Sequence, residues 1–148
     1  MLGSTPLTLL NVYVPPGGLI SFYQTLSKVL LDALPDLLLP GGDFNGLMNA
    51  GQECQSPPIQ SRLSATPLAS FAGAYSYCDT WCHLQPTLRQ FTFLSQAHKS
   101  FFSLDYFFLP TADIAQIMVC HFHPCSLSNH SLVEITTGSA THTHKVSQ

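Results

Sequence analysis

Leu37-Leu38-Leu39-Pro40-Gly41-Gly42-Asp43-Phe44-Asn45-Gly46 is an apolar run that stops at two glycines and then offers a carboxylate and, two residues on, an amide. Three leucines bounded by proline and glycine have the length and apolarity of a short buried strand. In an extended chain residues i and i+2 point the same way, so Asp43 and Asn45 can address one point at the strand's carboxyl end. Open α/β sheets place their ligands at such ends. An Asx turn capping the following segment accounts for the same two residues without a ligand.

Working outward, residues 7–14 (LTLLNVYV) form a second short apolar run rich in β-branched and aromatic residues, halted by Pro15-Pro16-Gly17-Gly18. Between the two runs, Phe22, Leu26, Val29, Leu30 and Ala33 recur at helical spacing, which predicts a helix over 20–34 ended by Pro35. Strand, helix, strand in that order predicts a βαβ unit with a parallel pair, and so an α/β fold. Residues 49–67 have no period and are rich in Ser, Gln, Pro and Gly, as a long surface loop is. A short helix is expected over 68–75, beginning near Pro67. Strands are expected at 91–94, 104–109, 114–122 and 132–136. One domain over 1–137 and a polar, frayed tail over 138–148 complete the organisation.

With 148 residues and 45% hydrophobic content, the chain can bury a sizeable core and is too apolar for intrinsic disorder. Only 9% of residues are charged, against roughly 25% in an ordinary soluble protein, so part of the surface needs a covering partner or a larger assembly. A net charge of −3, with five Lys and Arg in total, lacks the electrostatic footprint of a free-standing nucleic-acid binder. Five cysteines at irregular spacing read as free thiols in a reducing, intracellular setting. Lys28, Asp32, Pro35 and Asp36 interrupt the longest apolar stretch, which excludes a membrane-spanning helix there.

Three further features carry chemistry. Asp105 lies in the apolar run 104–109, where an ionised carboxylate is costly unless paired or bound to a cation; a partly exposed edge position is the plainer reading. His130 stands at the entry to the last strand, where a surface histidine is the plainer reading. Cys120, His121, His123 and Cys125 could suggest zinc, but alternating residues of a strand point to opposite faces, so the four do not converge. His142 and His144 in the tail have no partner cluster.

The succession NVYVPP, GGDFN, DTWCHLQPTLRQFTFLSQAHKSFFSLDYFFLP and SNHSLV, from about residue 7 to 136, resembles the carboxyl-terminal part of the endonuclease domain of LINE-type retrotransposons. That domain belongs to the endonuclease/exonuclease/phosphatase superfamily. The resemblance implies a DNase I-like four-layer α/β sandwich, present here in part, and hydrolysis of DNA phosphodiesters with Mg²⁺ or Mn²⁺. It implies DNA as partner, a retrotransposon polyprotein with reverse transcriptase or another chain to cover the sheet, and a nuclear location for a functional copy. Tyr13 would stand beside the scissile phosphate, Asp43 would deprotonate the attacking water, and Asn45 would hold water or a phosphate oxygen. His130 would contact the phosphate and support transition-state charge. Thr92, Asp105, Ser128 and Asn129 would line the substrate side.

These residue types suit in-line attack, which needs a base near the water and donors or cations on the phosphoryl oxygens. A hard cation such as Mg²⁺ takes oxygen ligands, so carboxylates and amides serve it better than cysteines do. Three departures stand against the pattern. Only twelve residues precede Tyr13, so the family's principal metal-binding glutamate has no counterpart, and the metal ligands are unassigned. The family's Ser-Asp-His is Ser128-Asn129-His130, which takes away the carboxylate expected to orient the histidine; such a loss in a hydrolytic triad costs about 10⁴ in rate. Phe102-Ser103 replaces the usual Ser-Arg. They imply impaired or lost cleavage, with a non-catalytic remnant or a protein-interaction module as the alternative.

Overall fold

The computed structural model describes residues 7–17, 20–32, 37–49, 54–55 and 66–137. β1 (Leu7–Tyr13) and β2 (Leu37–Asp43) pair in parallel, and α1 (Ile20–Asp32) lies between them in sequence, as the βαβ reading expects. Strand β2 does not stop at Leu39 but runs through both glycines to Asp43. The glycines are strand residues for steric reasons. A Cβ at Gly41 would collide with the Phe107 ring, and at Gly42, with φ of +138°, it would collide with the Val12 carbonyl oxygen.

That close approach lets β7 (Asp105–Pro110) pair antiparallel with β2, and β4 (Tyr77–Asp79) pairs antiparallel with β7. The sheet order is β1-β2-β7-β4. Alternation along the strands divides it into two faces. Val12, Val14, Leu38, Phe44, Tyr106 and Phe108 pack with Tyr23, Leu26 and Leu30 of α1 and with Leu68, Phe71 and Ala72 of α2 (Thr66–Ala74). Phe44 and Phe108 are fully buried and meet edge to face at 5.0 Å, and each contributes about 1.5–3 kcal/mol by burial alone. Pro67 sits in the first turn of α2, where its missing N–H costs nothing. Val29, assigned by its spacing to the buried stripe of α1, is instead exposed, because the stripe that meets the sheet is Tyr23, Leu26 and Leu30.

On the opposite face Leu39 and Leu109 pack with Ile114, Ile117 and Ile135. Ile117 and Ile135 belong to β8 (Ile117–His123) and β9 (Leu132–Thr137), an antiparallel ribbon. The expected strand over 114–122 therefore begins late. Its first part is a 3₁₀ turn, Thr111–Gln116, set off by Pro110 and anchored where the Thr111 N–H and hydroxyl both donate to the Ser76 carbonyl, at 2.9 and 2.8 Å. Ile114 enters the core from that turn.

Pattern reading did not foresee β4, the short helix α3 (Thr80–Leu84) or β6 (Ser100–Phe102). Strand β6 pairs with β5 (Phe93–Ser95) and with β3 (Cys54–Gln55), so two residues of the expected 49–67 loop are in a ladder; most of the rest lies outside the described residues. Residues 33–36 and the 138–148 tail also lie outside them. Cys78, Cys82, Cys120 and Cys125 form no disulfide. Among the described residues no helix is long and apolar enough to cross a membrane.

Candidate active site

The ladder aligns Tyr13 with Asp43 and Asp43 with Asp105, so three strands put one residue each into a single row. Period-2 alternation turns this row away from the α1–α2 core. The turn before β9 brings His130 over it. A bridge between Phe93 and His130, a Leu94 N–H donating to the Asn129 carbonyl at 3.0 Å and a Ser131 N–H donating to the Thr92 carbonyl at 2.6 Å tie that turn to β5. The imidazole then lies 4.7 Å from the Phe93 ring, centroid to centroid.

His130 Nδ1 is 2.9 Å from Asp105 Oδ2, and its Nε2 faces Asp43 Oδ2 at 4.0 Å. The side chains are 31% (His130), 10% (Asp105) and 16% (Asp43) exposed, so the cluster is shielded but open to solvent on the histidine side. The hydrogen bond to Asp105 raises the His130 pKa above its ordinary value; partial burial opposes this, and the charges of Asp105 and Asp43 add to it. Burial raises the Asp43 pKa, the Asn45 N–H works against it, the Asp105 charge adds to it and His130 opposes it. The result is a carboxylate of increased basicity facing an imidazole biased toward its charged form.

Asn45 bears out the turn reading of Asp-x-Asn. It adopts a left-handed φ of +43°; its backbone N–H donates to Asp43 Oδ1 at 2.9 Å, and its amide donates to Asp43 Oδ2 at 3.2 Å and to the Val14 carbonyl at 2.7 Å. This is an Asx turn, and it also fixes the carboxylate. With both amide protons so engaged, Asn45 offers a phosphate oxygen no donor; its own side-chain oxygen can accept from water.

Thr92 is fully buried, and its hydroxyl accepts the Leu104 and Asp105 N–H groups at 2.9 and 3.1 Å. It is therefore tied to the backbone of Asp105 and not open to solvent. Ser128 Oγ accepts the His130 N–H at 3.0 Å, and Asn129 Oδ1 accepts from Gln96 at 3.2 Å. Asn129 thus points away from the imidazole, and the carboxylate that orients His130 is Asp105. The premise that Asn129 deprives the histidine of its carboxylate is corrected by this geometry. Tyr13 is 63% exposed at the open end of the row.

The Asp105–His130 pairing joins residues 25 apart across two elements, so no local spacing announces it. The one clue was the cost of an unpaired carboxylate in an apolar run.

No protein-family model and no curated protein matches the sequence. Solved structures do match. The AP endonuclease LMAP from Leishmania major is 18% identical with a TM-score of 0.68, over 84% of this chain and 48% of that one. An AP endonuclease from Archaeoglobus fulgidus is 14% identical, TM-score 0.72, over 89% and 62%. The 3′ phosphatase NExo from Neisseria, bound to product DNA hairpin, is 14% identical, TM-score 0.71, over 87% and 60%. The chain has the DNase I-like α/β fold of these proteins and spans about half to three-fifths of their length.

Asp43, Asp105 and His130 could also hold a metal ion, since one donor atom from each lies within 4.8 Å of the others. Their chemistry does not suit Mg²⁺, which takes oxygen donors. Only Asp43 and Asp105 offer oxygens; the imidazole would bring a nitrogen, Nε2, while Nδ1 stays on Asp105, and both Asp43 oxygens already accept from Asn45. The three residues are better matched to acid–base work than to enclosing a hard cation.

Proposed function

We propose that this chain is the carboxyl-terminal part of a LINE-type retrotransposon endonuclease domain, and that its site acts on a DNA phosphodiester. The observation that carries the reading is the Tyr13–Asp43–Asp105 row with His130 set over it and paired to Asp105. Asp43, held by Asn45, accepts the proton of the attacking water. His130, oriented by Asp105, donates from Nε2 to a phosphoryl oxygen as negative charge develops there. The Tyr13 hydroxyl lies where a second donor to the phosphate is useful. A divalent cation such as Mg²⁺, for which the Asp43–Asp105–His130 cluster by itself is a poor match, would supply further charge stabilisation when bound. Cleavage by this chain alone is weak, because its share of the fold is partial. A segment or second chain that extends the sheet at β1 completes it, whether from a retrotransposon polyprotein or elsewhere, and a functional copy works in the nucleus.

The test is nicking of supercoiled plasmid by the full chain, with Mg²⁺ or Mn²⁺ and with chelator, beside Asp43→Ala and His130→Ala. Cation-dependent nicking that both substitutions reduce supports the reading; nicking that persists in either variant, or no nicking even after a completing segment is added, refutes it. A non-catalytic interaction module is the second reading. It is favoured by exposed apolar residues beside the site, Leu9 at 44% and Leu132 at 40%, which border a cleft between β1–β2 and β9. That reading requires a defined complex in gel filtration without any nicking.

A further inference from the structure

We propose that the outer face of the β8–β9 ribbon is a second metal site, in which His121, His123 and Glu134 take a first-row transition ion of the Zn²⁺ type. Within β8, Cys120 is buried and Phe122 stacks on Trp81 at 5.0 Å, which fixes the inward side. His121 and His123 alternate with them and are exposed on the outward side. The register sets Glu134 of β9 directly across from His121, and His123 Nε2 already contacts Glu134 Oε2 at 2.7 Å. Two imidazoles and a carboxylate thus share one face of one hairpin. Cys120 faces inward and so cannot join these residues, and Cys125 lies beyond the end of β8.

The rings of His121 and His123 lie 6.1 Å apart, centroid to centroid. Two imidazoles on one tetrahedral zinc, with Zn–N near 2 Å, put their centroids about 5 Å apart. The three donors do not converge as they stand, so binding takes a side-chain rotation of the exposed His121 ring and an opening of the 2.7 Å contact between His123 and Glu134 to admit the ion. Imidazole nitrogens with one carboxylate select Zn²⁺, Ni²⁺ or Cu²⁺ over Mg²⁺ and Ca²⁺. Three protein ligands leave further positions to water or to a donor from a partner, so the site is open and of moderate affinity. It shares no residue with the Asp43–Asp105–His130 cluster. The plainer account of the same contact is a cross-strand pair that only steadies the ribbon.

Titration of the full chain with Zn²⁺ alone by calorimetry, and with Co²⁺ by visible absorption, separates the two. The expected result is one equivalent bound, weakened at least tenfold by His121→Ala and by His123→Ala and several-fold by Glu134→Gln. Binding is unchanged by Cys125→Ser, by His130→Gln and by replacing both His142 and His144, and the Co²⁺ spectrum lacks a thiolate charge-transfer band. Circular dichroism of each variant confirms a retained fold. Zn²⁺ binding that survives His121→Ala and His123→Ala, or that is lost in the Cys125, His130 or tail variants instead, overturns the proposal, as does no binding by the unsubstituted chain.

Discussion

Replacing Asp105 by Asn tests the centre of the site directly, because the substitution preserves size and an acceptor oxygen while removing the charge next to His130. A hydrogen bond between an imidazolium and a carboxylate is worth about 1.5–3 kcal/mol net. With Asp105 10% and His130 31% exposed, solvent screening puts the coupling in the lower half of that range, about 1.5–2 kcal/mol. The assay is a double-mutant cycle of Asp105→Asn and His130→Ala by urea denaturation, in which the lost packing of His130 on Phe93 cancels between the two arms. The pH dependence has a definite sign. The folded-state pKa of His130 is raised, so the contribution is fully present below the ordinary histidine value and fades as pH rises through the folded value. A coupling below about 0.3 kcal/mol at pH 5.5, within the error of additivity, or one that does not fall by pH 9, would refute the pairing and with it the orientation of His130.

Thr92→Val leaves the Leu104 and Asp105 N–H groups buried without their acceptor and costs about 2–4 kcal/mol by thermal or urea denaturation, whereas Thr92→Ser restores most of it. Gly42→Ala destabilises by more than about 2 kcal/mol, since it combines a positive φ with a collision against the Val12 carbonyl; a neutral outcome would show that β2 does not run through the glycines. Asp79 caps α3 by accepting the Trp81 N–H at 2.9 Å, so Asp79→Ala costs about 1 kcal/mol. Burial raises the pKa of Asp79, and the folded state therefore holds a proton that the unfolded chain releases. Stability accordingly declines as pH rises from the ordinary aspartate value through the raised one, and Asp79→Asn flattens that decline in pH-dependent unfolding. His130→Ala, under the proposed function, lowers the nicking rate by about 10²–10³, measured on plasmid with the divalent cation held constant.

Elements that carry a strong local signal were legible in the sequence. The parallel β1–β2 pair and α1 follow from two apolar runs flanking a helical stripe, and β7 follows from the run around Asp105. What was hidden depends on partners. Strand β6 is three residues whose place is set by β5 and β3, and β4 is three residues held by β7. Ile114 looked like strand because apolar residues continue to Phe122, yet Pro110 and the Ser76 carbonyl start a 3₁₀ turn there. At the site, Asp43 and Asn45 announced themselves as neighbours in sequence. The engagement of Asn45 by Val14, the tie of Thr92 to the backbone of Asp105 and the choice of Asp105 over Asn129 as the partner of His130 are all long-range, and spacing carries no record of them.

The row of Tyr13, Asp43 and Asp105 also has a meaning in time. Asp43 and Asp105 become neighbours only when β7 has docked beside β2, across a stretch of chain that carries α2, β4 and the β5–β6 hairpin. His130 arrives later still, from beyond β8. Contacts of such sequence separation close slowly, after local structure has formed. A chain emerging from the ribosome therefore carries its carboxylates apart and its imidazole unbound until the last strands are in place. Whatever chemistry the cluster supports is withheld from every shorter intermediate, so an interrupted copy of this chain is inert however intact its GGDFN motif.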